Sequence, residues 1–89
     1  MIDYARYNLN ADCTDFIEEI RGICIDSQSE VSLQYGPYTF CLEPSGKTVQ
    51  VVDRTGVTGE YASFDDFLIN HSIDGKSILE IIKEIEYGE

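Results

Sequence analysis

Basic residues are scarce in this chain. Its 89 residues include 6 Lys+Arg against 17 Asp+Glu, a formal net charge of -11. So acidic a surface repels the phosphates of nucleic acid and of membranes and attracts basic protein surfaces. Cysteine is scarce as well. Cys13, Cys24 and Cys41 are odd in number and have no paired spacing, whereas small secreted scaffolds rest on a dense, even set of disulfide-forming cysteines. The three read as reduced, largely buried thiols in a cytoplasmic protein, where free cysteine packs as a small hydrophobe. Long apolar runs are missing: no stretch approaches the roughly 18 residues of a membrane span. Met1-Ile2-Asp3-Tyr4-Ala5-Arg6 has no basic region followed by an apolar run, so no signal peptide is expected.

Apolar material is sufficient for a core. Hydrophobic residues make up 43% of the chain and aromatics 11%, and disordered chains lack the aromatic and β-branched residues found here. The length fits one domain over residues 1–89 with a modest core. The charge is unevenly spread. Residues 1–30 hold seven acids and two bases, residues 63–89 hold the same, and residues 31–62 hold three and two. Two acidic flanks therefore enclose a near-neutral middle.

Hydrophobic spacing divides the chain in the same way. Residues 1–11 have no clean period and fit an irregular arm or the start of a strand. Phe16, Ile17, Ile20 and Cys24 form one stripe of a helix expected over 13–23. Asp12 or Thr14 is expected to cap it, and Asp15, Glu18 and Glu19 occupy the other face. The period then changes to two. Val31, Leu33 and Tyr35 alternate with polar residues, as do Tyr38, Phe40 and Leu42, and then Val49 and Val51. Turns are expected at Gly36-Pro37, at Pro44 to Lys47 and at Arg54 to Gly56. A short fourth strand is expected over 57–62.

The other sheet face carries Ser32, Gln34, Thr39, Cys41, Glu43, Thr48, Gln50 and Val52. It is polar yet almost uncharged, and antiparallel sheets commonly leave one face to solvent. Ser63 opens a short helix that ends near Asn70. Ser77-Ile78-Leu79-Glu80 is a capping box, and Ile78, Leu79, Ile81, Ile82 and Ile85 make a wide helical stripe. The fold class is α+β: a helix, a three- to four-stranded antiparallel meander, then two C-terminal helices packed on one sheet face.

Catalytic and cofactor chemistry finds little purchase. Asn70 to Ser77 ends in Gly-Lys-Ser before a helix, as a phosphate-binding loop does. That motif requires glycine where Asn70 stands and a strand ahead of it. Cys13, Cys24, Cys41 and His71 could supply four zinc ligands, but structural zinc sites draw ligands in close pairs. Inert thiols and a surface histidine are expected instead. No motif sets His71 beside a thiol as a nucleophilic pair. Asp65-Asp66 suits the positive end of a helix. No enzyme, metal or cofactor is expected.

Tyr38-Thr39-Phe40 and Glu43-Pro44 lie in a hairpin. Ser63-Phe64-Asp65-Asp66-Phe67-Leu68 follows, and Ile73-Asp74-Gly75-Lys76 leads into Ile78-Leu79-Glu80-Ile81-Ile82. In these features the C-terminal two-thirds resembles uncharacterised small acidic α+β proteins of Gram-positive bacteria and their mobile elements. Some phage proteins of similar composition are anti-CRISPR inhibitors that occupy a nuclease's nucleic-acid channel. The resemblance implies a protein-binding inhibitor and assigns no functional residue. The acidic flanks themselves lead to a non-enzymatic module that docks on a basic protein surface, such as that of a nucleic-acid-binding protein. Asp15, Glu18, Glu19, Asp65, Asp66, Glu80 and Glu84 would supply the charge, with tyrosines as anchors. No direct nucleic-acid or membrane contact is expected. The alternative is an accessory domain that forms a homodimer through its sheet.

Overall fold

The computed structural model describes residues 2–88. Of the arm expected over 1–11, residue 1 lies outside the described residues, and residues 2–11 form neither a strand nor a loose arm throughout. Asp3 accepts a hydrogen bond from the Ala5 amide and opens a 3-10 turn, Tyr4–Tyr7. Helix α1, Ala11–Arg21, begins earlier than its apolar stripe suggests. The cap is Asn10, whose side chain accepts from the Cys13 amide at 2.9 Å, and not Asp12 or Thr14. The helix then widens into a π-type turn, Gly22–Asp26, which buries Cys24. The connector that follows is pinned to a distant turn. Gln28 donates to the Gly46 carbonyl at 2.8 Å and accepts from the Gly46 amide at 2.9 Å.

Four strands then run as the expected antiparallel meander: β1, Val31–Tyr35; β2, Tyr38–Ser45; β3, Thr48–Asp53; and β4, Gly56–Tyr61. Gly36 takes φ +56 at the first position of the two-residue β1–β2 loop, which suits a tight hairpin and the rigid Pro37 after it. Asp53 accepts from the Thr55 amide and hydroxyl and so closes the β3–β4 turn. Helix α2, Phe64–Asn70, starts where expected, with the Ser63 side chain accepting from the Asp66 amide.

The C-terminal region departs from expectation. Asp74 and Gly75, at φ +56 and +80, turn a small hairpin of β5, Ser72–Ile73, and β6, Lys76–Ser77. Helix α3 is only Ile78–Ile81, followed by a 3-10 turn, Ile82–Glu84. The chain then becomes a strand, β7, Ile85–Tyr87, which pairs antiparallel with β1 through Leu33↔Tyr87 and Tyr35↔Ile85. The single long helix expected there is therefore corrected, and the sheet has five strands in the order β4-β3-β2-β1-β7. The cause is non-local. An uncovered β1 edge would leave its amides and carbonyls unpaired, and Ile85 fits the inner face of a strand as well as a helical stripe.

The sheet's apolar face is buried as its period requires. Leu33, Leu42, Val49 and Val51 are inaccessible to solvent, and they join Ile17, Ile20, Phe67, Leu68, Ile78 and Ile81 in one core. Tyr38, expected on this face too, is exposed at the hairpin end. The outer residues Ser32, Cys41, Gln50 and Val52 remain half-exposed, so this face stays open.

Candidate functional site

The acidic residues divide into two groups. One group has work inside the molecule. Arg21, on the last turn of α1, contacts Asp65 at 2.6 Å and Glu18 at 3.4 Å. Its guanidinium lies 5.0 Å from the centre of the Phe64 ring, within reach of a cation–π attraction. The Tyr4 hydroxyl joins the cluster, accepting from Arg21 at 3.2 Å and donating to Glu18 at 3.4 Å. Asp66 accepts from the Ala62 amide and from the Asn70 side chain. Glu80 accepts from the Ser77 amide at 2.9 Å and completes the capping box. That backbone hydrogen bond holds the Glu80 carboxyl below its ordinary pKa.

The second group faces water. Asp15 and Glu19 are exposed on α1, and Glu84 is exposed in the turn before β7. Asp12, which sequence reasoning passed over as a mere cap, extends the α1 row. Positions 12, 15 and 19 follow helical spacing and lie along one side. Like charges at such spacing destabilise a helix by about 0.2–0.5 kcal/mol per pair. Among the described residues, the ion pairs are those of Arg21 alone, so no described cation pairs with this row.

Aromatic rings flank the row. Phe16 meets Tyr87 edge-on, with ring centres 5.3 Å apart, and Tyr87 keeps 46% of its surface exposed. Burial first, and then the nearby Glu19 carboxylate, push the Tyr87 phenol above its ordinary pKa. Tyr87 reaches this position only because the chain end becomes β7, so its role was invisible to helical spacing.

His71 is a correction. It is buried, not a surface residue. Its Nδ1 lies 2.7 Å from the Tyr61 hydroxyl, and its ring stacks on Phe67 with centres 5.6 Å apart. Desolvation lowers its pKa and favours the neutral ring. Cys13 and Cys24 are buried, and Cys41 lies half-exposed on the outer sheet face. Among the described residues, no three His, Cys, Asp or Glu side chains gather as a metal site. The Gly-Lys-Ser of residues 75–77 belongs to the small β5–β6 hairpin, with Lys76 and Ser77 in its second strand. It is not a loop around a phosphate. Among the described residues, no helix is long and apolar enough to cross a membrane.

A second surface lies at the hairpin end of the sheet. The β2–β3 pairing ends at Cys41↔Val52, while β2 continues back to Tyr38 against β1 alone. A groove of about 860 Å³ opens there, bounded by Tyr38, Thr39, Val52, Arg54, His71 and Asp74 among others. Comparison with protein-family models, with curated proteins and with solved structures finds no match to this chain.

Proposed function

We propose that this chain is a non-enzymatic binding module, an acidic protein that docks on a basic surface of another protein. One observation carries the reading: the exposed row Asp12, Asp15 and Glu19, with no intramolecular cation among the described residues and with Phe16 and Tyr87 beside it. Rows of like charge cost helix stability, and solubility alone needs a net charge of only about 2–8 in magnitude. A basic partner would relieve the repulsion, steer the encounter and seat its apolar groups on the aromatic pair. Glu84 adds charge outside the helix. Glu18, Asp65, Asp66 and Glu80 serve chiefly to hold the fold, so they contribute field rather than contacts. A surface of this kind suits the nucleic-acid-binding face of a protein, and the resemblance to inhibitors of phage origin agrees with that use.

The test is capture from lysates of the native host on immobilised protein, comparing wild type with an Asp12→Asn, Asp15→Asn, Glu19→Gln variant. Basic proteins should bind the wild type at low salt, release at high salt and pass over the variant. An identical set on both would defeat the reading.

One observation favours a second reading, self-association. Strand β4 is a free edge of the sheet, and its Val57 is 59% exposed; such edges invite pairing with another chain. A sizing column separates the two: a homodimer that persists at high salt, and is broken by Val57→Lys, supports pairing through β4.

A further inference from the structure

The notch where β3 leaves β2 has unsatisfied main-chain chemistry. Tyr35↔Tyr38 closes the two-residue β1–β2 loop, so these two residues exchange their hydrogen bonds with each other. Alternation then turns the amide and carbonyl of Thr39 away from β1. Along β2, the same parity points Cys41, Glu43 and Ser45 toward their β3 partners Val52, Gln50 and Thr48. Thr39 comes next in that series. Its partner position would be Arg54, but Arg54 has already entered the turn to β4. Thr39 is exposed, and its peptide groups face the groove.

The walls have a consistent character. Phe40 and Ile73 are buried and supply an apolar floor, beside the buried His71 ring. Glu43, Asp53 and Asp74 line the groove against the single base Arg54. Glu43 and Asp74 enter no ion pair among the described residues. Thr55 donates to Asp53 and holds its carboxyl below its ordinary pKa, so it stays ionised.

We propose that this notch takes an extended, lysine- or arginine-bearing segment of a partner protein, added as a short strand against Thr39. This deepens, and rests on, the reading of the chain as an acidic docking protein. The main chain gives the segment its direction, and alternate side chains divide between the apolar floor and the carboxylates. Strand addition at an open sheet edge works in this way generally. The volume suits a few residues of extended chain, so the groove complements the α1 face.

The test uses the intact protein and a capped Lys-Val-Lys-Val-Lys peptide, followed residue by residue through backbone amide NMR shifts. Shifts should concentrate at Thr39, Cys41, Arg54 and His71, and a Glu-Val-Glu-Val-Glu peptide should give none. Thr39→Pro removes the amide at an edge position that proline tolerates, and should weaken binding about tenfold. N-methylation of the central peptide lysine should do the same, which keeps the test sound if the proline variant unfolds. Shifts confined to α1 would overturn the notch and leave the acidic docking reading standing. No shift anywhere at millimolar peptide, or Thr39 already protected from exchange by a second copy, would overturn the notch as well.

Discussion

The guanidinium of Arg21 meets the carboxylate of Asp65 at 2.6 Å and ties the end of α1 to the start of α2. The contacting Asp65 oxygen is buried, and hydrogen bonds give it no other partner. Arg21→Ala removes both the ion pair and the cation over Phe64. The Asp65 side chain is 38% exposed and regains water, so the pair contributes about 0.2–1 kcal/mol and the cation–π contact about 0.5–1 kcal/mol. Each kcal/mol lowers the melting temperature of a domain this size by about 4–8 °C. Arg21→Lys should fall between wild type and alanine, since a lysine keeps the charge but loses the planar stack. Thermal melts decide it; an alanine variant as stable as the wild type would remove this link from the account.

His71 makes stability depend on acid. Its folded pKa lies below the ordinary value of 6.5 because burial disfavours the imidazolium. Well above pH 6.5 the ring is neutral in both states and contributes no slope. Below that point the unfolded chain takes the proton first, so stability falls as pH drops toward the folded pKa. Few carboxylates titrate above about pH 5, which isolates the effect. Urea midpoints should decline between about pH 7 and 5.5 in the wild type and stay nearly level in His71→Phe. Equal declines in both would assign the slope to other groups.

The Tyr61 hydroxyl that meets His71 depends on a missing methyl group. A Cβ at Gly59 would stand 2.7 Å from the Tyr61 ring. Gly59→Ala should push the ring off His71 and lower the melting temperature by more than Tyr61→Phe, which keeps the ring in place. The reverse order would mean that the hydroxyl, not the ring position, carries the stability.

The thiols differ in reach. Burial pushes the Cys24 thiol up to about 11, and the thiolate is the reactive form. Cys41 is half-exposed, while Cys13 and Cys24 are buried. Alkylation of the native protein at neutral pH should label Cys41 alone, with the other two appearing only in denaturant. Mass spectrometry of the digested protein reads the order, and early labelling of Cys24 would contradict the core described above.

The meander was legible because period-two alternation and turn chemistry agreed. Val31, Leu33, Phe40, Leu42, Val49 and Val51 all turn inward as read, and Gly36-Pro37 turns where it must. The C-terminal end was not legible. Ile78, Leu79, Ile81, Ile82 and Ile85 satisfy helical spacing, yet a short apolar run fits either period, and the open β1 edge settled the matter. The candidate site was half legible. Exposure of Asp15, Glu19 and Glu84 follows from patterning. The pairing of Asp65 with Arg21, and of Tyr61 with His71, joins residues from different elements, and spacing along the chain carries no sign of either.

Docking through the α1 row makes association electrostatic, so the decisive quantity is the rate at which a captured basic partner associates as salt is varied. Opposite charges steer encounter, and salt screens them over about 10 Å at 0.1 M. The wild-type association rate should fall steeply with ionic strength, and the Asp12→Asn, Asp15→Asn, Glu19→Gln variant should start slower and fall less. A wild-type rate indifferent to salt, or one that the triple variant reproduces, contradicts docking through this face.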